Sequence, residues 1–364
     1  MKANRIKDYF DKIIFMMALP VSLVTIVACG SKPAENKAKA TEAPAPVVEE
    51  NLLEDLVFNH NGIEFTMIAV DGGTFQMGAT AEQSKSDKDE KPVHSVTLKN
   101  FYIAETEVTQ ELWVAVMGEN PSHFGYGGIY PVDKINYNDC VAFISKLNEV
   151  LAGQLPEGRA FRLPTEAEWE FAARGGNYSS GYQFSGSNNV DEVACYVDNI
   201  FYSPNVVKTK LPNELGIYDM SGNLYEWCSD FHDDKYYASS PQENPAGPES
   251  GKRRVIRGGS WDLPWDHCRV SNRNRCPVDA RGFSNGMRLA LDADPDAKPV
   301  KGKRVAAVAP EVEPIDEFEE NYDAFYEQPL EEIADAYDKA LREYEDAYQQ
   351  DAKEYEDAFD DVAW

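Results

Sequence analysis

The sequence predicts an α+β domain with few short helices and much irregular structure, followed by an acidic tail with a helical repeat. Three observations predict this fold class. Short β-branched runs such as Ile63–Val70 lie between turn residues, the few helical patterns are short and clearly capped, and residues 176–257 are dominated by Gly, Asn, Pro, Ser and aromatic residues. Apolar residues make up 43% of the 364-residue chain, which is enough for a sizeable core.

The first thirty residues predict an envelope lipoprotein. A basic segment up to Lys12 precedes the apolar stretch Ile13–Val27, which is too short and too weakly flanked for a good membrane span. The stretch ends in IVACGS, which resembles a bacterial lipobox. The resemblance implies cleavage after a signal peptide of residues 1–28 and acylation of Cys29, with an ordinary signal peptide and a chance cysteine as the alternative. A lipid on Cys29 would hold the chain at a membrane of the bacterial cell envelope, outside the cytoplasm.

The remainder divides into four segments by composition. Residues 29–55 are rich in Ala, Pro, Lys and Glu and lack an apolar period, which predicts a disordered tether. The globular domain is expected at residues 56–291, followed by a linker at 292–314 and an acidic tail at 315–364.

Two β regions are predicted near the start of the domain. The strand Ile63–Val70 is followed by the turn residues Asp71-Gly72-Gly73 and by Thr74–Gly78, which we expect to form the second arm of a hairpin. The stretch from Val93 to Ile103 predicts one further strand.

Three helices follow, each with a recognisable end. Thr109 is a candidate N-cap for a helix that runs to Met117 and stops at Gly118. In the next helix an apolar face is predicted, and Gly153 is its expected end. The face consists of Val141, Ile144, Leu147 and Leu151.

The third helix has the strongest local signal. Thr165 is followed three residues later by Glu168, which is a capping box, and Gly175 is the expected terminator. Trp169 and Ala172 are expected to face the core, and we interpret this segment as structural.

The acidic charge restricts the partners of the protein. Of the formal net charge of −28, the segment Asp292–Trp364 carries −17, and this balance argues against nucleic acid and acidic lipid surfaces as partners. Within that segment three consecutive eleven-residue units run from Glu331 to Ala363, and each carries an aromatic or aliphatic pair at i, i+4. Eleven residues are close to three helical turns, so the stripe stays on one face. The stripe would pack on the domain, on a second copy of the tail or on a partner; an acidic solvated tail is the alternative.

Several phrases of the sequence, taken together and in this order, resemble one family, the formylglycine-generating-enzyme-like (sulfatase-modifying factor) domain. They are GGTFQMG, ETEVTQELW, NPSHF, PVDKINYNDCVAFISKLN, FRLPTEAEWEFAARGG, NELGIYDMSGNLYEWCSD, RVIRGGSW and NGMRLA. The resemblance implies a low-helix α+β domain related to C-type lectins. The family's generating enzymes oxidise a sulfatase cysteine to formylglycine.

The resemblance also implies a loss at the catalytic centre. In the generating enzymes two thiols, five residues apart, follow the turn that matches Gly258-Gly259-Ser260, and together they bind copper. The second thiol falls on Cys268, but the first falls on Leu263. Copper is therefore not expected, and Cys268, Ser260 and Asn285 are candidate catalytic residues only if the protein is an oxidase.

A calcium site is the second feature that the resemblance implies. The matching positions give the side chains of Asp219 and Glu226 with the backbone carbonyls of Gly222 and Leu224, a donor set suited to a hard cation. The alternative is that Asp219 caps a turn and that Glu226 pairs with an arginine.

Arginines are dense around this part of the chain, and several are expected to be buried partners of carboxylates; an anionic ligand site is the alternative. They are Arg253, Arg254, Arg257, Arg269, Arg273, Arg275, Arg281 and Arg288.

Three functions remain open. The first is a non-catalytic binding or scaffold module that holds an envelope protein or a glycan. The second is an oxidase, either of the formylglycine-generating type or with another metal. In the third, the acidic repeat is the active part, through self-association or a partner, and the domain is its platform.

Overall fold

The computed structural model describes residues 49–200, 202–293 and 300–303. The predicted signal peptide, the lipidation site Cys29 and the acidic tail lie outside these residues. Within them the helices and strands are, in chain order, β1 Glu49–Leu52, β2 Leu56–His60, β3 Ile63–Val70, β4 Thr74–Met77, β5 His94–Thr97, β6 Phe101–Ala104, α1 Gln110–Met117, α2 Tyr137–Val150, β7 Phe161–Arg162, α3 Glu166–Ala173, α4 Val190–Val193, β8 Ala194–Cys195, β9 Ser221–Gly222, β10 Tyr225–Phe231, β11 Arg253–Arg257, β12 Asn274–Pro277, β13 Asn285–Gly286, β14 Ala290–Asp292 and β15 Val300–Lys303. The predicted α+β class with few short helices is confirmed.

Two sheets organise the domain. The larger is antiparallel with the strand order β2-β3-β6-β14-β7, so the last strand of the domain lies between two early ones. The smaller has the order β12-β11-β10-β13, in which β10 and β13 are parallel. The remaining strands form two-stranded pairs. One of them joins β1 to β15, so part of the predicted tether pairs with part of the predicted linker.

The predicted hairpin of β3 and β4 is wrong. β3 pairs with β2 and β6, whereas β4 pairs with β5. The stretch predicted as one strand is divided into β5 and β6, because the intervening residues 98–100 cross closely over the glycine turn after β3. There the Gly72 amide donates to the Asn100 side chain at 2.8 Å.

Both faces of the larger sheet are covered, which explains the continuous apolar runs in β3 and β6. Met67 and Tyr102 pack into a core with α1 and α2, while Ile68 and Ile103 pack into a second core with α3. Successive side chains of these strands therefore point into two different cores, and not alternately into a core and into solvent.

The predicted ends of α1 are confirmed, whereas α2 ends at Val150, before the expected Gly153, and buries a face other than the predicted one. Thr109 accepts a hydrogen bond from the Leu112 amide, and Gly118 ends α1 with φ of +93°. In α2 the buried residues are Cys140, Phe143, Ile144 and Leu147, whereas Val141 is 49% exposed. Placing Val141 on the core face was wrong, because the face that meets α1 is rotated toward Phe143, which stacks on Trp113.

Helix α3 is buried along its whole length although it contains three glutamates. The capping box is confirmed, since the Thr165 hydroxyl accepts from the Glu168 amide and Glu168 accepts from the Thr165 amide. Each glutamate has an arginine partner, which satisfies a charge that could not otherwise be buried. The pairs are Glu166 with Arg273, Glu168 with Arg162, and Glu170 with Arg174 and Arg257.

The helices in the described part of the chain are too short or too polar for any of them to span a lipid bilayer.

Candidate functional site

The loop that follows β11 is shaped by two consecutive glycines. Gly258 and Gly259 have φ of +100° and +74°, a region that favours glycine. A Cβ atom on Gly259 would lie 2.7 Å from the carbonyl oxygen of His267. The turn therefore brings the start of the loop against its end, and it fixes the positions of Ser260 and Cys268.

A serine–aspartate–serine group joins this loop to the segment before β13. The Ser260 hydroxyl donates to Asp262 Oδ1 at 2.7 Å, and the Ser284 hydroxyl donates to Asp262 Oδ2 at 3.1 Å. Ser260 is buried, whereas Asp262 is exposed. The family motifs did not indicate Asp262 or Ser284, although the i, i+2 spacing of Ser260 and Asp262 after a glycine turn is a local signal for the first contact.

Asn285 faces a different partner. Its amide nitrogen lies 3.4 Å from Cys276 Sγ, and its backbone pairs with Tyr225 across β10 and β13. The Tyr225 hydroxyl accepts from Asn274 Nδ2 at 3.0 Å and lies 3.4 Å from His267 Nδ1. It is the neighbouring Ser284, and not Asn285, that shares Asp262 with Ser260.

Cys268 is a packed side chain. It is fully buried in an apolar cluster with Phe184, Ala194 and Tyr196, and its carbonyl oxygen accepts from the Ser221 hydroxyl at 2.8 Å. Burial raises the pKa of this thiol well above its usual range. All five cysteines of the described residues are buried and carry free thiols.

The donor set at this loop does not fit a two-thiolate copper centre. Position 263 carries a leucine that is half-buried against the core containing Tyr225 and Cys276. Cuprous copper in such a centre needs two soft sulfur ligands, and a hydrocarbon side chain offers none.

A chain of aromatic rings, called here the aromatic rim, borders the serine–aspartate–serine group. The rim consists of His123, Phe124, Tyr126, Tyr130, Trp261 and Phe283. Successive ring centroids lie 4.3 Å apart for Phe283 and His123, 4.8 Å for His123 and Phe124, 5.4 Å for Phe124 and Trp261, and 4.8 Å for Tyr126 and Tyr130. Trp261 follows Ser260 and Phe283 precedes Ser284, so the rim and the polar group are continuous.

The rim loop is held firmly and still exposes apolar surface. The buried Asp133 carboxylate accepts from the amides of His123 and Phe124 at 2.7 and 3.3 Å. Tyr126 is 59% exposed and Ile129, on the same loop, is 51% exposed. A fixed, exposed aromatic loop is typical of a binding surface.

The predicted calcium residues lie in a buried acidic cluster with Glu107. Asp219 has φ of +59° and accepts from the Lys208 amide at 2.9 Å. Glu226 accepts from Arg288 at 2.7 Å and from the Trp169 indole at 2.7 Å, so the arginine alternative describes its observed partner. The amide of Leu224 donates to Glu107 at 2.9 Å.

This cluster holds more carboxyl groups than guanidinium groups. Among the described residues, Glu107, Asp219 and Glu226 are buried around the guanidinium group of Arg288. Burial, with the charges of Asp219 and Glu226, raises the pKa of Glu107 well above its usual range. Burial also raises the pKa of Asp219 to about 6. Asp219, the backbone carbonyls and the additional carboxyl group fit a hard cation, while Glu226 would have to serve the ion and Arg288 at once.

The dense arginines serve mainly as structural partners. Arg257, Arg269, Arg273 and Arg288 are buried and paired with glutamates. The more exposed Arg275 and Arg281 pair with aspartates. These six pairs favour the interpretation of carboxylate partners over an anionic ligand site.

Comparison with known proteins finds relatives of two kinds, one named as a chaperone and one named as a formylglycine-generating enzyme. Residues 58–293 match the family model described as the sulfatase-modifying factor enzyme 1-like domain. A protein named chaperone protein LppX, from Paenibacillus barcinonensis, is 32% identical over 267 residues, covering 61% of this chain and 88% of LppX. The formylglycine-generating enzyme of Streptomyces coelicolor is 29% identical over 294 residues, covering 62% of this chain and 89% of the enzyme.

Among solved structures, Treponema denticola variable protein 1 is similar with a TM-score of 0.59 and 34% sequence identity. The match covers 66% of this chain and 99% of that protein. The residues matched by the family model, 58–293, include the Ser260 loop and the aromatic rim.

Proposed function

The chain belongs to the sulfatase-modifying factor enzyme 1-like domain family, and we propose that it serves as a non-catalytic binding module of the bacterial cell envelope. Its ligand is an extended polypeptide segment of an envelope protein, with a glycan as the alternative. The proposal rests on one observation. At the two positions that match the copper-binding thiols of the generating enzymes, this chain has a leucine, Leu263, and a fully buried cysteine, Cys268.

The surface around Ser260 supports a binding role. Rigid exposed rings contribute contact area at little entropic cost, and the adjacent hydroxyl and carboxylate groups of Ser284 and Asp262 can orient a polar backbone. The similarity to a protein named as a chaperone favours a polypeptide over a glycan.

The proposal is tested by the ability of the full chain to suppress aggregation of a chemically unfolded model protein. The double variant Tyr126→Ala/Ile129→Ala should lose at least half of the suppression, because both side chains expose apolar surface on the aromatic-rim loop. The matched control is Val57→Ala/Val141→Ala, which removes exposed apolar side chains elsewhere in the domain. Equal suppression by the wild type and the rim variant would contradict the proposal.

The oxidase function is the second candidate, and the retained Ser260 and Cys268 positions favour it. Its signature is conversion of a thiol in a sulfatase-derived peptide to an aldehyde.

We further propose that calcium binds at Asp219, Glu226 and the carbonyls of Gly222 and Leu224. The surplus of buried carboxyl groups around Arg288 supports this site, because a divalent cation would favour their ionised form over the protonated form that burial favours.

Anchoring through a lipid on Cys29 and self-association through the tail are proposals that rest on the sequence. If the anchor is correct, Cys29→Ala should move the protein from the membrane fraction to the soluble fraction. A chain truncated after residue 303 should sediment as a monomer, and the full chain as an oligomer, if the tail associates; sedimentation of both as monomers would oppose that idea.

A further inference from the structure

A histidine and two aspartates come together at the end of β10, outside the group formed by Ser260, Asp262 and Ser284. His232 directly follows β10, Asp234 lies two residues later, and Asp89 comes from the short 3₁₀ turn Lys88–Glu90. His232 Nε2 is 3.2 Å from Asp89 Oδ2, and His232 Nδ1 is 3.8 Å from Asp234 Oδ1. One ligand atom from each residue can be chosen so that all three lie within 4.8 Å of one another.

The backbone around this cluster is fixed. The His232 amide donates to the Arg253 carbonyl at 3.0 Å, which extends the pairing of β10 with β11. Asp233 holds the following turn by accepting from the Lys235 amide at 2.7 Å. On the other segment, Arg273 Nη1 donates to the Asp89 carbonyl at 2.8 Å. The cluster is therefore assembled before any ligand arrives.

The imidazole ring of His232 can supply one nitrogen ligand to a metal ion. A neutral ring has one N–H donor and one lone pair. Each ring nitrogen of His232 has a carboxylate oxygen nearby, at 3.2 Å for Nε2 and 3.8 Å for Nδ1. A metal ion bound to either nitrogen would therefore have a carboxylate beside it.

We propose that Asp89, His232 and Asp234 bind one first-row divalent metal ion, with zinc as the best match. One imidazole nitrogen and two carboxylate oxygens are ordinary zinc donors, and bonds of about 2.0–2.2 Å place ligand atoms roughly 3–4 Å apart. Small side-chain movements would bring the three observed donors to that spacing.

The neighbouring arginines leave the site accessible to an ion. Arg273 is held by Glu166 at 2.6 and 2.8 Å, and it meets Asp89 through the backbone carbonyl and not through the carboxylate. Arg275 lies 3.1 Å from Asp234 Oδ1, but Asp234 is 65% exposed and such surface pairs contribute little. The ring of His232 is buried, so its nitrogens are shielded from water, whereas the carboxylate of Asp234 is exposed and would give a metal ion access from solvent.

The test is a competition between the full chain and a chromophoric zinc chelator. The wild type should take up one zinc ion per chain at micromolar metal concentrations. Asp234→Asn should weaken the affinity at least about tenfold, and His232→Gln should abolish binding. Because Asp234 is exposed, its variant should fold, and Asp198→Asn, an equally charged change at an exposed site outside the cluster, should bind zinc as the wild type does.

Cobalt substitution identifies the ligand types. The spectrum of the cobalt-loaded chain should show ligand-field bands without an intense sulfur-to-metal charge-transfer band. The proposal is overturned if the wild type takes up no zinc, if Asp234→Asn binds zinc like the wild type, or if a sulfur band shows that cysteines hold the ion. None of these outcomes depends on polypeptide binding at the aromatic rim.

Discussion

At the scale of single residues, the environment of Cys268 supports the proposal that this chain does not act as a copper oxidase. The thiol lies among Phe184, Ala194 and Tyr196, and burial raises its pKa well above the usual range. The thiolate is the reactive form of cysteine and the form that binds metals. Packing therefore gives Cys268 the properties of a small apolar side chain.

Alkylation measures the accessibility and ionisation of the Cys268 thiol directly. In the native full chain, Cys268 should stay unlabelled by iodoacetamide at mildly alkaline pH, because it is neither exposed nor ionised. Peptide mapping by mass spectrometry would locate the label, and the same chain in urea should be labelled at Cys268 as the control. Labelling of native Cys268 at the rate of a free thiol would contradict a structural role.

Asp219 tests the proposed calcium site. At pH 7.5 the wild type should gain stability with calcium relative to a chelator, by about 2–3 kcal/mol when calcium is a hundredfold above its dissociation constant. Asp219→Asn should remove most of this response. Asp230→Asn changes another buried carboxyl, outside the cluster, and should leave the calcium response in place. Thermal unfolding of the three proteins decides the point, and an equal response of the Asp219 variant would exclude this residue as a ligand.

The site shows which contacts a sequence can predict. Ser260 and Cys268 could be located because a glycine turn fixes a short stretch of chain. The link from Ser260 through Asp262 to Ser284 could not, because it joins loops that only the folded sheet brings together. Glu226 is a third case. The sequence predicted either a calcium ligand or an arginine partner at this position, and only the tertiary structure identifies Arg288 as the arginine.

At the scale of elements, α3 is stabilised by ion pairs that take the place of water around its buried glutamates. Its three glutamates are buried, and Arg257, fully buried itself, pairs with Glu170 and also donates to the carbonyls of Val270 and Asn272. The helix thereby ties β11 to the segment that precedes β12.

Removal of one partner should be costly. Arg257→Met should lower the free energy of unfolding by about 3–5 kcal/mol, because it breaks a buried ion pair and removes one of the two arginines that pair with the buried Glu170. Arg281→Met is the matched control, since Arg281 pairs with Asp139 at the surface and should contribute less than about 1 kcal/mol. Urea unfolding provides both values, and similar losses for the two variants would show that the buried pair is not a principal support.

The helices were predicted better than the sheets, for a physical reason. Caps such as Thr109 and Thr165 act within one turn, so they can be recognised locally. Strand pairing depends on distant segments, and for this reason the pairing of β4 with β5 and the division between β5 and β6 were missed. The error at Val141 has a similar origin, because the neighbours of α2 determine which of its faces is buried.

At the scale of the whole molecule, buried carboxyl groups set the pH dependence of stability. Burial raises the pKa of Asp133 to about 6, and burial with the charge of Glu166 raises that of Asp230 to about 7. Asp219 is raised to about 6 by burial. These groups bind a proton more tightly in the folded chain than in the unfolded chain, so the free energy of unfolding falls as the pH rises from about 4 to 7.

Other carboxyl groups act in the opposite direction at lower pH. Burial opposes ionisation of Glu90 and Glu166, but Arg269 and Arg273 outweigh it and hold the pKa of both carboxyls below their usual values. Their contribution is lost as the pH falls below about 4. Thermal unfolding without divalent cations should therefore show maximum stability at about pH 4, and a melting temperature that rises steadily from pH 5 to 8 would contradict this balance.

We propose that the domain retains the family's fold without its oxygen-dependent thiol chemistry. To test this, the full chain is supplied with copper and oxygen and incubated with a sulfatase-derived peptide that contains the target cysteine, and the peptide is followed by mass spectrometry. A formylglycine-generating enzyme serves as the positive control. We expect the peptide thiol to stay unchanged with this chain, while the control enzyme converts it to the aldehyde. Formation of the aldehyde by this chain would refute the proposal.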